Sequence, residues 1–230
     1  RHCPSQLSTA HVHSPARQAA HLAGIPWDAG ATTISKMCGS AMKATMLAHD
    51  NILAGSHDIM VAGGMESMTN APYILPKARG GYRLGNGDTV RDHMFMDGLE
   101  DAYDEGRLMG TFAEDTAEHY QFTREAQDNY AIESLTRAKK AVEDGSFDDE
   151  VVPVTVKTRK GETMVTSDEQ PFNANIEKIP QLKPAFRKDG TVTPANSSSI
   201  SDGAAALVLM KRSEAEKRGL TPKALIHAHS

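Results

Sequence analysis

The chain has 230 residues, a net charge of −5, 39% hydrophobic content and two cysteines. That length holds one large domain or two smaller ones around a real core. The acidic balance gives no footprint for nucleic acid, no apolar run is long enough to cross a bilayer, and Cys3 with Cys38 makes neither a disulfide framework nor a zinc set, which fits a reducing, cytoplasmic setting.

Residues 1–13 show no periodicity and are left as an unassigned leader; they start at Arg1, without a signal-peptide layout, as expected of a fragment or a processed product. His11 and His13 resemble a metal pair, but no third ligand of matching spacing follows, so an irregular segment is expected. Ser14 and Pro15 then open a helix running to about Ala23, with Gly24 as its stop. The β-branched stretch 31–35 suits a buried strand. Residues 41–54 carry Met42, Met46, Leu47 and Leu53 at helical spacings. Cys38 falls between them, at a strand-to-helix turn, where the helix N-terminus favours the negative charge of a thiolate, the nucleophilic form. Gly39 and Ser40 leave room for a substrate carbonyl, and the Cys38 amide is a candidate oxyanion donor. The competing reading is a small buried cysteine that only packs. Residues 58–64 form a continuous apolar run expected to be a second strand parallel to the first, completing a βαβ unit.

From Met65 to about Asn196 the chain is richer in charge and turn residues, as in an insertion or second lobe. The glycines of 80–87 lack the spacing of a phosphate loop and are read as a surface turn. Helices are expected over 112–121 and over 123–144, the latter capped by Thr123 and ended at Gly145. Residues 151–165 read as a hairpin at a sheet edge, because Pro153 has no N–H for a central strand. A short helix or turn over 176–182 leads to Phe186. Ser197, Ser198, Ser199 and Gly203 permit close backbone approach to something bulky before an apolar strand that ends near Met210. Ser213 is expected to cap a helix over 214–218, and 223–229 to begin one more strand with His227 and His229 on one face.

Lys36-Met37-Cys38-Gly39-Ser40, the stretch 61–68, the stretch 109–114, Leu182-Lys183-Pro184-Ala185-Phe186 and the stretch 196–206 occur in an order that resembles the thiolase family, in its acetyl-CoA acetyltransferase group. The resemblance implies a thiolase-like layered α/β/α fold, incomplete at both ends. The divisions expected are a partial N-terminal domain over 14–70, an inserted loop domain on the coenzyme A side over 71–195, a return over 196–219 and the start of a C-terminal domain at 220–230. It implies Cys38 as the nucleophile that accepts an acyl group, and Leu99, Met109, Ala185, Phe186, Ser198 and Ile200 as residues lining the coenzyme A site. Core packing is the rival reading for Leu99, Met109 and Ile200. Acetyl-CoA and acetoacetyl-CoA enter as substrates, with no separate cofactor, no metal, no nucleic acid and no membrane; a homo-oligomer, dimer or tetramer, is implied for the complete protein.

Relatives use a histidine to activate the nucleophile and a second cysteine as base, near the C-terminus of a longer chain, and no Gly-His-Pro sequence is present here. The expectation is a nucleophile and binding surface without the full set for turnover. Ser35, Ala41 and Phe172 replace the asparagine, glycine and arginine usual in relatives. The alternative function is a non-catalytic fragment that binds coenzyme A or pairs with a subunit.

Overall fold

The computed structural model describes residues 13–87 and 89–230. Cys3 and His11 lie outside the described residues. Two compact units result, one of Arg1–Glu105 with Ile200–Ser230 and one of Gly106–Ser199.

In the first unit the central element is helix α2 (Ser40–Leu53), laid against strand β1 (Ile59–Glu66). Ala44, Ala48 and Ile52 recur every fourth residue, so they share one face of α2. That face closes on Met60 and Ala62, which alternate inward along β1, with Ile34 and Leu209 packed at the margin. Small alanines let helix and strand approach closely, while Met60, 3% exposed, contributes about 1.5–3 kcal/mol by leaving water.

β1 pairs with strand β6 (Gly203–Met210), antiparallel and in register from Ile59 opposite Met210 to Glu66 opposite Gly203. This corrects the expected βαβ unit. Residues 31–35 join no ladder among the described residues; Thr32 and Thr33 are exposed and Thr32 carries only an isolated bridge. An unbroken apolar run signals burial but does not name its partner, and the partner of β1 arrives from far along the chain. Gly63 is required by that pairing, since a Cβ there would lie 2.3 Å from the carbonyl oxygen of Ala205. Asp202 fastens the same end of the ladder by accepting a hydrogen bond from the Thr69 amide at 2.9 Å.

Helix α1 (Pro15–Leu22) begins with proline as expected, but Ser14 caps it through its backbone alone: its carbonyl accepts from Gln18 N while its side chain makes no cap bond. The first-turn amide of Ala16 donates instead to Thr33 Oγ1 at 3.2 Å, so residue 33 does the capping. Short strands β2 (Tyr73–Ile74) and β3 (Arg91–Asp92) pair antiparallel, and a π-helical turn over Phe95–Leu99 follows. At the far end, helix α6 (Arg212–Lys217) already contains Ser213 and is preceded by Lys211, which corrects the expected cap. Residues 223–229 form no strand among the described residues.

The second unit is built on helices α3 (Met109–His119) and α4 (Arg124–Glu143). Thr123 caps α4 as expected, accepting from Ala126 N, and Gly145, at φ 75°, lies just beyond its end. Two buried carboxylates hold the loops to these helices. Glu114 of α3, 4% exposed, accepts from Thr191 N and Val192 N at 2.9 Å each and from Thr191 Oγ1 at 3.2 Å. Asp128 of α4, 3% exposed, accepts from Arg124 Nε at 2.7 Å and from Asn196 Nδ2 at 3.1 Å. Arg124 Nη2 also donates to the carbonyls of Ile179 and Leu182, tying α4 to the 3-10 turn Ile176–Gln181. The expected hairpin forms from β4 (Val154–Thr158) and β5 (Gly161–Val165), exposed along its whole length. Helix α5 (Gln170–Asn173) follows it.

Candidate active site

Cys38 sits two residues before α2, whose cap position is Gly39. The approach to it is a tight turn held from within. Ser40 Oγ accepts from the Lys36 amide at 2.8 Å and donates to the Met37 carbonyl at 2.6 Å. Met37 takes a left-handed conformation at φ 51°, uncommon for a residue with a side chain and found where the surrounding structure enforces it. The effect is to turn Cys38 outward: its side chain is exposed, although Ser40, two residues on, is 5% exposed. The packed-cysteine reading therefore fails for this residue.

The amides of Gly39 and Ser40 fold back onto the carbonyls of Lys36 and Met37, each at 3.1 Å, so neither is aimed at a substrate. The first i−4 bond of the helix is from Lys43 N to Gly39 O at 2.9 Å. The first-turn amides of Ala41 and Met42 thus precede the helical ladder and supply the positive end of the dipole next to Cys38.

Cys38 opens on a cleft of about 820 Å³. One wall is α2 with Ser40, Ala41, Met42, Thr45 and Met46; another is the end of the β1–β6 ladder, with Gly63, Gly64, Met65 and Glu66 facing Gly203, Ala204, Ala205 and Leu207. Ile226 and His229 complete the lining. The glycines and alanines let the cleft run close to the backbone, the methionines give it a soft apolar surface, and Glu66 is the one carboxylate in its wall. Such a space suits a narrow, flexible and largely uncharged ligand arm.

Of the six residues that the resemblance assigns to a coenzyme A site, none lines this cleft. Leu99 and Ile200 belong to the first unit: Leu99 is half-buried at the end of the π-helical turn, and Ile200 is 61% exposed. Met109, Ala185, Phe186 and Ser198 belong to the second. There Phe186 presses its ring onto Gly110, where a Cβ would lie 2.2 Å from ring carbons, which brings it beside Met109 at the start of α3. Ala185 is exposed and its amide donates to the Val192 carbonyl at 2.9 Å; Ser198 is exposed. The sequence reading did not single out Ser40 as the fastener of the turn, Met37 as its left-handed corner, or Glu66 and His229 as cleft residues. The Cys-Gly-Ser triplet ahead of an amphipathic helix carried the signal for Ser40.

The family model described as "Thiolase, N-terminal domain" matches residues 3–213. A probable acetyl-CoA acetyltransferase of Mycolicibacterium smegmatis is 48% identical over 217 residues, which is 94% of this chain and 55% of that protein. The acetyl-CoA acetyltransferase of Saccharomyces cerevisiae is 47% identical over 96% of this chain and 56% of its own length. Among solved structures, an acetyl-CoA acetyltransferase from Syntrophomonas wolfei superposes with a TM-score of 0.87 at 42% identity, covering 96% of this chain and 56% of the other. A thiolase from Ascaris suum in complex with coenzyme A gives 0.86 at 41%, with the same coverage. The chain spans about half the length of these relatives, and no described helix is long and apolar enough to cross a membrane. With the family model matched over most of its length and the fold shared with both structures, the chain belongs to the thiolase family.

Proposed function

We propose that this chain carries the nucleophile of an acetyl-CoA acetyltransferase, with Cys38 taking the acetyl group of acetyl-CoA as a thioester. The observation that carries the reading is an outward-turned thiol, set ahead of a 14-residue helix and opening on a cleft of about 820 Å³. The Cys38 thiolate attacks the thioester carbonyl, negative charge collects on the carbonyl oxygen, and the C–S bond to coenzyme A breaks to leave an acetyl-enzyme. Carbon–carbon bond formation then needs a second acetyl-CoA to lose an α-proton to a base, giving acetoacetyl-CoA; the reverse sequence cleaves it.

Leu99, Met109, Ala185, Phe186, Ser198 and Ile200 are the proposed contacts for coenzyme A, a substrate and not a resident cofactor. Support comes from the acetyl-CoA acetyltransferase relatives and from the coenzyme A complex of the Ascaris suum thiolase. A homo-oligomer and a cytoplasmic location complete the proposal, the latter supported by the sparse cysteines. Quantifying coenzyme A released from acetyl-CoA tests it. One equivalent per chain is expected in the first turnover; release no greater from the native chain than from Cys38→Ala leaves only the reading as a coenzyme A-binding or subunit-pairing fragment.

A further inference from the structure

Near the C-terminal end of α2 a second group of chemically competent side chains converges, sharing only His229 with the cleft described above. His49 and Asp50 are consecutive residues of the helix, and His229 comes from the segment after α6. His229 Nε2 lies 2.8 Å from Asp50 Oδ1, and His49 Nδ1 lies 3.7 Å from the same oxygen. The two imidazoles meet edge to face with centroids 5.1 Å apart. One ligand atom from each residue falls within 4.8 Å of the others. The histidine side chains are 16% and 21% exposed.

A hydrogen-bonded pair accounts for His229 and Asp50 but not for His49. Its Nδ1 is buried and has no hydrogen-bond partner. A buried ring nitrogen beside a carboxylate and a second imidazole is what a metal ion would satisfy, since the ion accepts one lone pair from each of the three groups at once. We propose that His49, Asp50 and His229 form a site for a divalent first-row metal ion of the zinc class. Two nitrogens and one carboxylate oxygen suit Zn²⁺ or Co²⁺ over the all-oxygen preference of Mg²⁺ and Ca²⁺. Drawing the three donors to bonding distance takes an inward shift of roughly 1 Å, within reach of side-chain rotation. His229 then ligates through Nε2 and carries its ring proton on Nδ1.

The consequence is mechanical. Residues 223–229, which form no strand, would be pinned to α2 by the ion, and His229, part of the cleft wall, would be fixed in place. The reading is independent of acyl transfer.

The test uses the tag-free 230-residue chain, stripped of metal and titrated with Co²⁺, with the visible ligand-field bands as readout and Zn²⁺ as competitor. One equivalent is expected to bind, and His229→Ala is expected to weaken it at least roughly tenfold, as is His49→Ala. His227→Ala and the double variant His11→Ala with His13→Ala should bind as the parent does. Absence of uptake, uptake unchanged by His229→Ala, or loss in the His11/His13 variant would each overturn the proposal.

Discussion

Glu114 gives the sharpest test of what holds the second unit together. Its carboxylate, 4% exposed, takes the amides of Thr191 and Val192 and the Thr191 hydroxyl, and so serves a loop far away in sequence. Gly190 is part of the same fit, because a Cβ there would lie 2.1 Å from Glu114 Oε1. Replacing Glu114 with alanine strips two backbone donors of their acceptor in a place that water does not reach easily. Each orphaned group costs about 1–3 kcal/mol, so the loss is about 2–6 kcal/mol. Glu114→Gln keeps one carbonyl oxygen but presents an NH₂ to the other donor, and should lose about half as much. With a urea m-value of about 2 kcal/mol/M, the alanine variant's midpoint falls by roughly 1–3 M. Amide exchange gives the local readout: Thr191 and Val192 should lose protection by about 100-fold while α2 is unaffected. An alanine variant with an unchanged midpoint and unchanged exchange at those amides would refute the carboxylate's role.

Gly63→Ala should destabilise the first unit by about 2 kcal/mol or more, because the added methyl meets the Ala205 backbone and no side chain can rotate away; an unchanged urea midpoint would contradict the β1–β6 register. Ser40→Ala removes the fastener of the Cys38 turn, and should cost about 1–3 kcal/mol and slow acetylation of Cys38 by about tenfold with helix content preserved by circular dichroism; an unaltered rate would detach Ser40 from the site. The hydrogen bond from Arg187, aided by the charges of Arg187 and Arg107 and opposed by burial, holds the Asp115 carboxyl below its ordinary 3.8. The folded value is depressed, so this stabilisation is present above about pH 4 and is lost as pH falls through the folded value. Asp115→Asn should therefore flatten the acid limb of stability measured by urea titration across that range, by a small amount because the pair is exposed.

The parts of the fold written in local sequence were legible. Thr123 and Gly145 bracket α4 because capping and left-handed stops act within a few residues. The hairpin of β4 and β5 closes on its neighbour. The helix behind Cys38 forms where expected, but its buried face is Ala44, Ala48 and Ile52, whereas Met42 and Leu53 of the expected apolar set are exposed. What escaped depends on distant partners. Strand β6 replaces 31–35 as the neighbour of β1; Thr33 in place of the Ser14 side chain caps α1; His229 reaches back to Asp50. None of these pairings leaves a trace in spacing. At the site, Cys38 was legible from a small-residue turn before a helix, whereas the left-handed corner at Met37 was not, since nothing in a methionine signals positive φ.

The account rests most heavily on the Cys38 sulfur as the acyl acceptor. Tandem mass spectrometry of the peptide carrying residue 38, after brief exposure of the chain to acetyl-CoA, tests that directly. The acetyl group is expected as a hydroxylamine-labile thioester on Cys38, absent from Cys38→Ala; an unmodified Cys38, or acetyl found only on Cys3 or on lysines, would contradict it.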